Sequence, residues 1–110
     1  MPDNSIEYLT PREVAARLAS DTPPRIIDVR EVWEYDIAHL PNSTLVPLST
    51  LPGVADGLDR DVTYALLCHH GMRSEMAARW MAQHGFTRLI NIDGGIDAWS
   101  DDVDPSLPRY

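Results

Sequence analysis

Short apolar runs alternate along this chain with amphipathic stretches. The runs at residues 6–8, 25–29, 44–46, 62–67 and 88–92 are too short for helices and rich in β-branched or apolar side chains, so each predicts a strand. Residues 62–67 are apolar along nearly their whole length, as in a central strand covered on both faces. Between the runs lie helical signals. Thr10 can cap, Pro11 suits a first turn, and Glu13 can reach back to close a capping box. Val14 and Leu18 give that helix its stripe, and Pro23-Pro24 stop it. A short helix is expected at 32–37, and 48–57 can hold one short helix or two. A longer helix is expected at 75–84, with Met76, Ala77, Trp80, Met81 and His84 on one face and Gly85 as its stop. Gly94-Gly95 opens a last helix to Trp99, and residues 100–110 read as an extended tail over the surface. Strand–helix alternation of this kind implies an α/β fold with a largely parallel sheet flanked by helices.

At 110 residues the chain suits one domain, 1–110, with a core at about 6–99. It is 44% hydrophobic and 24% charged, a soluble globular composition with no apolar run of membrane-spanning length. The net charge of −8 argues against nucleic acid or an anionic membrane as a partner. The start, Met1-Pro2-Asp3-Asn4-Ser5, lacks the pattern of a secretory signal, and one cysteine forms no internal disulfide. A cytoplasmic setting is therefore expected.

That cysteine, Cys68, opens the run Cys68-His69-His70-Gly71-Met72-Arg73-Ser74, placed between the central strand and the longest helix. Ligands of open α/β sheets bind at the carboxyl ends of strands. Backbone N–H groups of a tight loop, backed by a helix N-terminus, form an anion site that also favours a thiolate. Cys68 is thus the candidate nucleophile, with His69, His70, Gly71, Met72 and Arg73 as the loop that binds substrate. Gly71 lets the backbone bend, Arg73 offers a fork for an anionic group, and Ser74 is placed to cap the helix. Cysteine phosphatases use a loop one residue longer than this one. The tighter ring suits a sulfur atom carried on the cysteine, and so predicts sulfane-sulfur transfer through a persulfide. The adjacent histidines lack metal-ligand spacing and read as donors at the rim, so no metal and no cofactor is expected. His39 and His84 read as structural, and Trp33, Trp80 and Trp99 as core aromatics.

Four stretches in order resemble the rhodanese-like sulfurtransferase domains. Ile27-Asp28-Val29-Arg30-Glu31, followed by Trp33 and Glu34, resembles the family's Asp-Val-Arg signature. Ala38-His39-Leu40-Pro41-Asn42-Ser43 resembles its Gly-His-Ile-x-Gly-Ala segment, with Ala38 and Asn42 where small residues, chiefly glycine, are expected. Residues 68–74 resemble the sulfurtransferase loop, and Asn91 through Trp99 the Gly-Gly-x-x-Ala-Trp motif. The resemblance implies a five-stranded parallel sheet, Cys68 as persulfide carrier, residues 69–73 as the substrate loop, and Asp28 as structural. It implies a small anionic sulfur donor such as thiosulfate and a thiol or cyanide acceptor. The tail, Asp104 to Tyr110, resembles modules fused to sulfur-carrier-activating enzymes, which implies a sulfur-carrier protein as a further partner. Two other readings are a low-turnover persulfide relay and a small cysteine phosphatase or arsenate reductase.

Overall fold

The computed structural model of the protein describes residues 5–110, so the reading of the first four residues lies outside it. Five strands form one sheet: β1 (Ile6–Leu9), β2 (Arg25–Asp28), β3 (Thr44–Leu45), β4 (Tyr64–Leu67) and β5 (Leu89–Ile92), in the order β1-β5-β4-β2-β3. All pairings are parallel. A parallel neighbour can be reached only by crossing back over a face, which is the work of α1 (Pro11–Leu18), α2 (Val32–Ile37), α3 (Leu51–Ala55) and α4 (Met72–Gln83). A 3-10 turn (Leu48–Thr50) precedes α3, and α5 (Gly95–Asp102) follows the last strand. This is the α/β architecture expected from the sequence. No helix among the described residues is long and apolar enough to cross a membrane.

The two faces of β4 bury separate cores, because side chains alternate along a strand. Ala65 and Leu67 pack with Ile26, Ile90 and Ile92 beneath Val14 of α1 and Ile96 and Trp99 of α5. Leu66 and Cys68 face the other way, with Ile27, Val29 and Leu89, toward α3 and α4. Register places Asn91 beside Leu66, and the period of two puts Asn91 on the Cys68 side of the sheet. Asp28 and Arg30, two apart, share the opposite side, away from Ile27 and Val29.

Several sequence expectations need correction. Thr10 and Glu13 do form the capping box of α1. But α4 starts at Met72, three residues before the expected start, because Gly71 takes φ +106° and serves as its N-cap. Ser74 therefore lies inside the first turn and does not cap the helix. The buried side of α4 is Ser74, Ala77, Ala78 and Met81. Met76 is exposed, and His84 is exposed and stacked on half-buried Trp80. Ser74, Ala77 and Ala78 let the helix approach the sheet closely, and Met76 and Trp80 rim the gap toward Leu48 and Leu51. Trp33 is 60% exposed and is not a core aromatic, whereas Trp99 is buried. Asn42 takes φ +62°, the left-handed turn conformation for which its family counterpart uses a small residue. The last helix continues past Trp99 to Asp102. The tail is not simply extended: Leu107 and Tyr110 pack back against the core beneath α1 and α5.

Candidate functional site

Cys68 follows β4 directly and is buried. Its Sγ accepts the Gly71 N–H at 3.0 Å. The first intrahelical bond of α4 runs from Glu75 N–H to the Gly71 carbonyl, so the N–H groups of Met72, Arg73 and Ser74 belong to the open end of the helix. The sulfur thus sits at a helix N-terminus, held by a loop amide, where negative charge is favoured.

Under the sulfur lies a polar network that the sequence reading missed. Cys68 Sγ is 3.4 Å from the buried Ser74 hydroxyl. That hydroxyl lies 2.5 Å from Asn91 Oδ1 and 3.1 Å from the Gly71 carbonyl. The Asn91 amide donates to Gly71 O at 3.4 Å and to Asp93 Oδ1 at 3.2 Å, which fixes its orientation. A signal was available: Asn91 is the polar residue in the otherwise apolar run Leu89-Ile90-Asn91-Ile92, on the face that carries Cys68.

The second wall of the loop is the start of α5. Ile96 N–H donates to Cys68 O at 2.9 Å and Asp97 N–H to His69 O at 3.2 Å. This close approach requires glycine at 95, where φ is +62° and a β-carbon would lie 2.4 Å from both carbonyl oxygens. The Gly94-Gly95 pair therefore shapes the cysteine loop from behind.

Arg73 faces Glu34 of α2 through two hydrogen bonds, 2.6 and 2.8 Å. Its fork, expected to be free for a donor, is occupied by an acid. The Arg73 guanidinium holds the Glu34 carboxyl at about 2, below its usual range, despite the opposing effect of burial. In the sequence Glu34 stands out only as part of a motif, because an acid in a short helix looks like a solvated residue. The Tyr110 hydroxyl also donates to Glu34, at 2.8 Å, and accepts from Arg30 at 2.8 Å. Arg30 is buried, with its Nε and one terminal nitrogen on Asp28 at 2.7 to 3.0 Å. The same guanidinium reaches the carbonyls of Glu34 and Ala38. Asp28 is thus structural, the partner of a buried cation.

His69 is half-buried and His70 exposed, both at the rim. Their rings stack at 4.0 Å, and His69 also stacks on Tyr110 at 4.1 Å. Burial, followed by the neighbouring His70 charge, pushes the His69 imidazole below its ordinary value. Ligand atoms of His69, His70 and Asp97 lie within 4.8 Å of one another. The fold thus brings together three candidate ligands that the sequence spacing did not single out, and Asp97 also accepts from Arg109 at 3.0 Å. Met72 is 78% exposed and points to solvent at the mouth of the loop.

This arrangement has counterparts among known proteins. The family model described as "Rhodanese-like domain" matches residues 10–102. The chain is 36% identical over 97 residues to YrkF of Bacillus subtilis, covering 88% of this chain and 52% of that protein. It is 32% identical over 96 residues to the adenylyltransferase and sulfurtransferase uba4 of Ogataea parapolymorpha, covering 86% of this chain and 24% of that one. The chain therefore spans about half, or less, of the length of these relatives. The crystal structure of a rhodanese-like domain protein from Staphylococcus aureus superposes with a TM-score of 0.81 at 28% identity, covering 88% of this chain and 94% of that one. With this fold, this loop and these relatives, the chain belongs to the rhodanese-like domain family.

Proposed function

We propose that this protein is a sulfurtransferase that moves a sulfane sulfur through a persulfide on Cys68. The observation that carries the reading is the Cys68 sulfur itself, seated at the N-terminus of α4 with the Gly71 N–H on it at 3.0 Å. A thiolate there attacks the outer sulfur of a donor such as thiosulfate. The new S–S bond forms as the old one breaks, and sulfite leaves with the electron pair. The loop amide and the open end of α4 receive the negative charge of the persulfide. An acceptor, cyanide or a thiolate, then attacks the outer sulfur and returns Cys68 to the thiolate. No cofactor enters these steps.

Residues His69, His70, Gly71, Met72 and Arg73 form the loop that receives the donor. Arg73, two-thirds shielded, acts chiefly by holding the loop to Glu34. An anionic donor gains from its charge and competes with Glu34 for its fork. A sulfur-carrier protein fits as the larger acceptor, since the relative YrkF bears the name putative sulfur carrier protein and uba4 the name adenylyltransferase and sulfurtransferase. A reducing cytoplasm suits the chemistry, because a thiol of this kind must be kept from over-oxidation.

Intact-mass measurement tests the reading. After thiosulfate treatment the protein gains one sulfur, roughly 32 Da, and Cys68→Ser gains none. Loading of the serine variant, or none in the parent protein, overturns it.

A further inference from the structure

We propose that Tyr110 is a positioning residue of the sulfur-transfer loop, and that residues 103–110 form a strap whose seating sets the geometry of residues 69–73. The inference rests on the sulfurtransferase reading above and deepens it.

Tyr110 is the link between two ion pairs. Arg30, neutralised by Asp28, donates to its hydroxyl, and the hydroxyl donates to Glu34, which holds Arg73. The direction of that proton is fixed. A guanidinium can only donate and a carboxylate can only accept, so a group between them must do both with one oxygen. The phenol meets that requirement and phenylalanine does not. Burial pushes the Tyr110 hydroxyl up to about 12, so it remains a donor across the working range.

The ring has a second role. One face covers His69 at 4.1 Å with an interplanar angle of 12°, and Trp33 meets the ring edge-on at 5.8 Å. Tyr110 therefore touches the loop at two points: directly at His69, its first residue, and through Glu34 at Arg73, its last. The strap is held by Val103 and Leu107, partly buried against the core beneath α1 and α5, and by Arg109 on Asp97 and Asp101 of α5. The Arg109 pairs are half exposed and contribute little. The seat thus depends on Val103, Leu107 and Tyr110 itself.

Two variants separate the hydroxyl from the ring. Tyr110→Phe keeps the stack on His69 and removes the link to Glu34. The thiosulfate KM should rise about three- to tenfold, with kcat within about twofold, because the loop end that meets the donor is loosened. Tyr110→Ala also uncovers His69. Its imidazole titration midpoint, followed by NMR, should rise toward the ordinary value, and should not move in Tyr110→Phe. His70, Asp97, Glu34 and Arg73 also act on that imidazole, and all four residues are retained in both variants. Alkylation of Cys68 by iodoacetamide should quicken several-fold in Tyr110→Ala.

An unchanged KM in Tyr110→Phe, together with an unchanged His69 midpoint in Tyr110→Ala, overturns the proposal. So does an equal fall in every activity that follows a lower Tm, which would make Tyr110 only a tie for the last segment. The His69 titration and the Cys68 alkylation rate need no sulfur turnover. If the parent protein fails to load sulfur, the functional reading fails, and these two measurements still decide the role of Tyr110.

Discussion

The Glu34 carboxylate and the Arg73 guanidinium meet in a two-pronged pair that ties α2 to the first turn of α4. The Glu34 side chain is 4% exposed and that of Arg73 35%. The two partners are therefore not equivalent. Losing the arginine strands a buried carboxylate, whereas losing the acid leaves a guanidinium that water can reach. Arg73→Ala should cost about 3 kcal/mol and Glu34→Gln about 1 kcal/mol in urea unfolding. The reverse order would show that the acid is solvated in solution.

The same pair predicts a pH dependence. Glu34 sits at about 2 in the folded protein against an ordinary 4.5. The unfolded chain takes up that proton more readily, so the pair stabilises the fold fully above the ordinary value. Its contribution drains away as the pH falls from 4.5 toward 2. The parent protein should lose stability across that window more steeply than Glu34→Gln, which has no carboxyl to titrate there. Parallel stability curves would exclude Glu34 as the group responsible.

Ser74 lies between the reactive sulfur and Asn91. Its single proton goes to Asn91 Oδ1 at 2.5 Å or to the Gly71 carbonyl at 3.1 Å, so toward a neutral thiol its oxygen accepts. When Cys68 ionises or carries a persulfide, that proton can turn to the sulfur instead. Ser74→Ala removes this option and leaves Asn91 Oδ1 short of a partner in a buried place, at about 1–3 kcal/mol. Sulfur transfer should slow by about tenfold while the mass gain on Cys68 persists. Complete loss of loading in a folded Ser74→Ala protein would mean that the hydroxyl is needed to form the persulfide and not only to steady it.

What the sequence made legible follows from the range of the interactions. The strands were readable because β-branched runs and their turn residues are local signals. The capping box at Thr10 and Glu13 is local too. The start of α4 was misplaced because a helix is recognised by its apolar period, and the first turn here is Met72-Arg73-Ser74, which serves the site instead of the core. The nucleophile and its loop were legible because strand, cysteine, glycine and helix are consecutive. Glu34, Asn91 and Tyr110 were not assigned roles because their partners lie far off: Tyr110 is 76 residues from Glu34 and 80 from Arg30. Only the folded chain shows that the Asp-Val-Arg signature and the cysteine loop are joined through a tyrosine at the other end.

Gly95 and Gly53 make a matched pair of tests. A β-carbon at Gly95 would lie 2.4 Å from two backbone oxygens of the cysteine loop, at φ +62°. Backbone cannot yield as a side-chain tip can. Gly95→Ala should cost about 2–4 kcal/mol, combining overpacking with left-handed strain. At Gly53, within α3, nothing lies within 4 Å of the same atom. Gly53→Ala should stabilise the protein by about 0.5–1 kcal/mol through helix propensity. Denaturant midpoints at constant slope measure both. Equal tolerance at the two positions would mean that the loop does not rest on α5 as described.

Arg30 and Asp28 are the most exacting case, because both side chains are fully buried. All the N–H groups of Arg30 are directed at acceptors: Asp28, the carbonyls of Glu34 and Ala38, and the Tyr110 hydroxyl. Lysine has a compact charge and no planar fork, so it cannot serve those directions together. Arg30→Lys should destabilise by about 3 kcal/mol, and Arg30→Met, which strands Asp28, by about 3–5 kcal/mol. The double variant Asp28→Leu with Arg30→Met removes the stranded charge along with its partner. It should be more stable than Arg30→Met alone, with a coupling of about 1–3 kcal/mol between the sites. Simple additivity would show that the two residues act separately. It would also break the line of contacts that runs from Asp28 through Arg30, Tyr110 and Glu34 to Arg73 at the reactive loop.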